Sequence, residues 1–249
     1  MLADTWTVIW KEWHEILHQF GSTRTTVLNQ LLLVVVVAIS FSFPAERTWL
    51  ETTASLQLWC VLPMLLVTTT IPDSFAGERE RHTLETMLAS RLSELAIMLG
   101  KIGAAVSYAC SLTLLAVLVA MVTVNIINWD GTLHFYSVGV FLAGIGASLL
   151  TAQLVASLGV FFSVRAATVR QAQQSLGFAI LVLAAVPLIG LNSGLFLLPE
   201  AWKASLATTL ETASSTQIVL IAVLLMVVLD LILIAATMRR FKRTHLILD

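Results

Sequence analysis

What most limits this chain is the length of its apolar runs. Residues 27–43, 54–75, 96–127, 135–163, 172–191 and 217–238 carry almost no charge. A bilayer's hydrocarbon core is about 30 Å thick and takes a helix of about 20 apolar residues, each rising about 1.5 Å. The six runs therefore predict six transmembrane helices. Composition agrees: 58% of residues are hydrophobic and 12% charged, against about 25% charged in a soluble domain. The fold class expected is an all-α integral membrane protein, a single transmembrane unit over residues 1–249. The first span is ended by Pro44, the second is interrupted by Pro63 and Pro72, and the third is long enough for its first turns to project from the bilayer.

The cations orient the spans. An even count puts both termini on one side, with Lys11, Arg24, Arg79, Arg81, Arg91, Lys101, Arg165, Arg170, Arg239, Arg240, Lys242 and Arg243; only Arg47 and Lys203 fall on the other. Cytoplasmic loops carry the excess of Lys and Arg, so both termini are expected in the cytoplasm, on a multi-pass protein of the inner (plasma) membrane. The formal net charge of −1 says nothing further, and nucleic acid is not an expected partner. No cleavable signal peptide is visible before the first run.

Residues 4–20 read as an amphipathic helix. Trp6, Ile9, Trp10, Trp13, Ile16, Leu17 and Phe20 form one stripe, with Lys11, Glu12, Glu15 and Gln19 opposite. Trp6, Trp10 and Trp13 favour the headgroup boundary, which predicts a helix lying on the bilayer. Within it His14-Glu15-Ile16-Leu17-His18 satisfies the spacing of zinc hydrolases. A catalytic zinc needs a third protein ligand, and His82, His134 and His245 are scattered, so a membrane zinc protease is a remote alternative and no metal is expected. Cys60 and Cys110 lie in apolar runs and suit packing. Gly139, Ala143 and Ala147 recur at four-residue spacing, with Gly144 and Ser148 alongside, a pattern that lets helices approach within the chain or across a dimer. Asp230, deep in the last run, is a functional candidate because an intramembrane carboxylate is costly; Gln153 is a second buried polar candidate.

The densest charge is Phe75-Ala76-Gly77-Glu78-Arg79-Glu80-Arg81-His82-Thr83-Leu84-Glu85-Thr86-Met87-Leu88-Ala89-Ser90-Arg91-Leu92-Ser93-Glu94. Leu84, Met87, Leu88 and Leu92 recur at helical spacing, Thr83 can cap that helix, and Glu85 suits its first turn. A helix this short is marginal alone in water and needs a partner surface. The passage, with Gly100-Lys101 after it, resembles the signature of type-2 ATP-binding-cassette (ABC) permeases; His82 stands where that family usually has Gly.

The resemblance implies that residues 76–94 form a coupling helix between spans two and three, docking on a separate ATPase through Glu78, Arg79, Glu80, Arg81, Thr83, Leu84, Glu85, Met87, Leu88 and Arg91. Arg165 and Arg170, in the next cytoplasmic loop, offer a second contact or a plain topogenic turn. The stretch 192–216 resembles the family's re-entrant outer gate, or is an ordinary interfacial helix anchored by Trp202, and residues 4–20 resemble the family's elbow helix. A second permease, identical or homologous, would complete the assembly.

Gly100-Lys101 lacks the glycine and the Ser or Thr of a phosphate-binding loop. ATP and magnesium are thus expected on the partner, and this chain is expected to be non-catalytic. The largely apolar spans suit export of a hydrophobic or amphipathic cargo. A subunit that transmits ATP-driven motion to an outside partner without transport shares the same pattern.

Overall fold

The computed structural model describes residues 2–19, 24–81, 92–164, 166–192 and 215–240. Its long helices are α1 (Leu2–Gln19), α2 (Arg24–Ser42), α3 (Leu56–Pro72), α4 (Glu94–Ile127), α5 (Val138–Ser163), α6 (Val169–Asn192) and α7 (Ser215–Arg240). Short 3-10 turns at Arg47–Leu50 and Thr53–Ser55 lead into α3. Among the described residues no strand occurs. Three helical stretches, Thr53–Glu80, Glu94–Ile127 and Val138–Ser163, are long and apolar enough to cross a membrane; Leu28–Ser42 and Val223–Met238 are shorter apolar helices. Residues 193–214, which contain nearly all of the expected re-entrant segment, lie outside the described residues.

Helix α3 is the centre of the bundle, packed on α5, α4 and α6. Contrary to the sequence expectation, Pro63 does not interrupt it; the helix runs on to Pro72. The irregularity comes directly afterwards, as a π-helical turn at Asp73–Gly77 followed by one α-turn at Glu78–Glu80. Such wide turns are rare and concentrate at functional sites. The hydroxyls of Thr68, Thr69 and Thr70 bond back to carbonyls of their own helix, so these polar groups are satisfied locally.

The small residues of α5 divide differently from the expected stripe. Gly139 and Ala143 are exposed, whereas Gly144, Ser148, Ala152, Ala156, Gly159 and Ser163 are buried. A Cβ on Gly144 would stand 2.4 Å from Trp59 Cε2, and one on Gly159 would stand 2.6 Å from Ile71 Cγ2. The close-approach face is thus rotated by about one residue, and it serves packing inside the chain. Four-residue spacing occurs on both faces; only the bulk of the partner helix distinguishes them. Half-buried Cys60 and Cys110 are both free thiols.

Polar caps fix the helix ends. Ser93 accepts the Ala96 amide of α4 at 3.2 Å, and Ser137 accepts the Val140 amide of α5 at 3.3 Å; such caps satisfy donors that the first turn leaves open. The turn between α4 and α5 is held by Asn125, whose side chain donates to the His134 carbonyl at 2.8 Å and accepts its amide at 2.7 Å. Gly131 supplies the positive φ of 90° that this turn requires. Arg47 pairs with Asp130, joining the two connections at this end of the bundle. Thr132 hydroxyl and amide bonds, helped by Arg47, hold the Asp130 carboxyl down at about 2.

Candidate coupling site

The opposite end of the bundle carries the charged signature, and its side chains close on the protein itself. Lys101, about two turns into α4, has a fully enclosed side chain (0% exposed). An isolated buried ammonium would be prohibitively costly, so it must be paired and hydrogen-bonded. Its Nζ lies 2.8 Å from Glu12 Oε1 of α1, 2.9 Å from Glu78 Oε1 and 2.8 Å from the Ser74 carbonyl. It also stands 5.4 Å from the centre of the Phe75 ring, within cation–π range. One nitrogen therefore joins α1, the π-turn and the turn that follows it.

Around this hub each charged side chain of 78–81 has a partner. Lys11 lies 2.9 Å from Glu15 and 3.5 Å from both Glu12 and Glu78. Partial burial works against its charge, but the bond to Glu15 and the neighbouring carboxylates outweigh that and raise its pKa. Arg79 donates to the Ala166 carbonyl at 3.2 Å, and Glu80 accepts the Val169 amide at the start of α6 at 3.2 Å. A carboxylate there complements the positive end of the helix. Arg81 reaches Asp73 at 3.3 Å. Gly77 permits this fold, since a Cβ would meet Asp73 Oδ1 at 2.7 Å.

Helix α1 is bolted along α4 by shape as well as charge. A Cβ on Gly100 would overlap Val8 at 2.5 Å, and one on Gly103 would press on Ile9 at 3.1 Å. Trp13 Nε1 donates to Ser107 at 2.8 Å and its ring meets Tyr108 edge-on. Trp6 and Trp10 face outward, 66% and 69% exposed, while Val8 and Glu12 are each only 3% exposed. The side of α1 opposite Trp6 and Trp10 is therefore the one packed against protein, with Trp13 at its edge on α4.

The remaining candidates fall as follows. Glu78 is buried and turned toward Lys101; Arg79, Glu80 and Arg81 are partly or fully at the surface. Thr83, Leu84, Glu85, Met87, Leu88, Arg91 and Arg165 lie outside the described residues, and Arg170 is exposed on the first turn of α6. His14 is exposed beside the tryptophan face, and its motif neighbour Glu15 is paired with Lys11. Glu12, Glu15 and Glu78 present oxygens within 4.8 Å of one another, as a cation site would; the ammonium groups of Lys101 and Lys11 already stand among them. Asp230 accepts the Ser157 hydroxyl at 2.6 Å, with Gln153 3.5 Å from that same hydroxyl. Lys101 and Glu12 are the residues that the reading of motifs missed as a site; the signal was a lysine inside an otherwise apolar run.

Comparison with protein families adds the deciding observation: the model of the ABC-2 type transporter family matches residues 3–186. The chain belongs to that family. The match takes in α1, the Lys101 hub and the whole signature passage, and ends within α6. A comparison with curated proteins finds no match. The protein is thus a multi-pass permease component of an ABC transporter, of a family that is generally non-catalytic and typically works with an ATPase subunit in a membrane complex.

Proposed function

We propose that this ABC-2 permease is a six-span half-transporter that exports a hydrophobic or amphipathic cargo, driven by a separate ATPase gripping residues 82–91. The single observation that carries the reading is the anchoring of the signature. Residues 73–81 are tied through Lys101 to α4 and α1, and through Arg79 and Glu80 to Ala166 and the start of α6, so force applied to the loop between Arg81 and Leu92 reaches span helices directly. Leu84, Met87 and Leu88 supply the apolar grip, and the loop joins the ends of spans two and three. With both termini cytoplasmic, the loop faces the compartment that holds ATP.

The cargo class follows from the spans. Asp230 is their deep carboxylate, and Ser157 engages it within the chain. Ion pathways carry several intramembrane carboxylates, whereas this interior is weakly polar. A second copy or a homologous permease completes the path, and ATP-driven closure of paired ATPase subunits alternates its access.

The test is Leu84→Asp with Leu88→Asp in the full-length chain, with ATPase recovery from native membranes as readout. The variant should insert at wild-type abundance and lose the ATPase at least tenfold, since each leucine that docking would bury contributes about 1.5–3 kcal/mol and about 1.4 kcal/mol is tenfold. Undiminished ATPase recovery would refute the docking assignment.

A further inference from the structure

Helix α1 precedes the spans, and nothing in the coupling reading requires it to move. The hub does. Its three arms come from three separate elements, and α1 meets the signature turn through charge: Glu12 by way of Lys101, and Lys11 directly to Glu78. Along α4, Gly100 and Gly103 let α1 seat closely, with Val8 and Ile9 occupying the space that a Cβ at each glycine would need, and Trp13 is fastened to Ser107.

We propose that Lys101 is a positioning residue, a pin that makes α1 travel as one body with the signature ends of α3 and α4 during each ATP-driven stroke. This rests on the coupling reading above. Apolar packing alone would let α1 follow α4 while the turn at 74–78 slipped past both. A nitrogen held simultaneously at 2.8–2.9 Å by Glu12, Ser74 and Glu78 forbids that slip, because moving either carboxylate away strands charge where little water reaches. The outward tryptophans then acquire a mechanical meaning. Trp6 and Trp10 stand on the moving body, so the stroke drags an interfacial anchor through lipid headgroups rather than bending around a fixed one.

Spin labels test this in the full-length permease, purified with its ATPase, after Cys60 and Cys110 are replaced. Labels go at exposed Thr7 on α1, exposed Thr69 near the end of α3, and exposed Leu142 on α5. Between nucleotide-free and ATP-bound states the 7–69 distance should stay constant while the 69–142 distance shifts. Lys11→Gln with Glu12→Gln cuts both α1 arms yet leaves the Lys101–Glu78 pair; in that variant the 7–69 distance should become nucleotide-dependent. A 7–69 distance that shifts in wild type, or stays constant in the variant, overturns the pin alone. A 69–142 distance that ignores nucleotide overturns the coupling reading and the pin with it. Should the double variant not assemble, Glu12→Gln alone gives the same comparison, with a smaller shift expected.

Discussion

Replacing Lys101 with Met gives the most direct measure of the hub. The substitution keeps most of the buried stem and removes the ammonium. Glu12 and Glu78 are then left with side chains 4% and 11% exposed, and among the described residues Lys11 remains as a cation 3.5 Å from each. Three contacts are lost, to two carboxylates and the Ser74 carbonyl, together with the Phe75 ring interaction. Breaking a buried pair by removing one partner costs about 3–5 kcal/mol, mostly because the other charge stays buried. Lys11 is 47% exposed and screened by solvent, so it offsets little, and the middle of that range is expected. For a chain this size each kcal/mol moves the melting temperature by about 2–4 °C, which places the variant about 8–16 °C below wild type.

The assay is thermal unfolding in a fixed detergent, followed by the loss of monodisperse protein. Its decisive comparison is the triple variant Glu12→Met, Glu78→Met, Lys101→Met. Exchanging a whole buried ion cluster for apolar groups of similar size is often neutral or stabilising, so the triple variant should melt above the single one. A Lys101→Met protein that melts with wild type would show that the ammonium is not confined as described. A triple variant that melts below the single one would show that packing, and not stranded charge, sets the cost.

Other consequences are as direct. Gly144→Ala should destabilise by about 1–3 kcal/mol through overpacking against Trp59, whereas Gly139→Ala, with nothing within 4 Å, should be neutral or slightly stabilising in the same melts. Asp130 has its carboxyl held down to about 2, below the ordinary value near 3.9; its stabilisation is present above about pH 4 and lost as pH falls toward 2. The melting difference between wild type and Asp130→Asn should therefore shrink across that window, and a difference flat to pH 2 would contradict the assignment. Ser157→Ala removes the hydroxyl that Asp230 accepts at 2.6 Å and should cost about 1–3 kcal/mol, while Ser157→Ala on an Asp230→Leu background should cost little, read as a double-mutant cycle.

Where helices lie was written plainly in the apolar runs. Those runs read as 27–43, 54–75, 96–127, 135–163, 172–191 and 217–238, and the helices found in them extend or trim each by a few residues. Length and apolarity are local properties, so they survive without tertiary knowledge. Faces do not. On α5 the residues at 139 and 143 and those at 144 and 148 have equivalent spacing, and only the presence of Trp59 across from Gly144 decides which side is inside. Pro63 shows the same limit in reverse. A proline weakens a helix by one missing hydrogen bond and a steric clash, but with Pro63 buried in the bundle the helix runs on through it without a break.

The Lys101 hub turned on a sign that depends on the solvent. Glu12 falls opposite Trp6 and Trp10 on α1, and in water that position would be the wet face. Against a bilayer the apolar stripe can turn outward, and the polar stripe is then left to face protein, which is where Glu12 meets Lys101. Their separation of 89 residues hides the pair from any local pattern. What the chain does display is the cost. A charge inside an apolar run must have a partner, and that rule, applied to Asp230, applies with equal force to Lys101 seven residues after Glu94. Ser157 satisfies the first from 73 residues away, and Glu12 and Glu78 satisfy the second. The lone charges of a span are thus the places where its distant contacts can be anticipated, though not named.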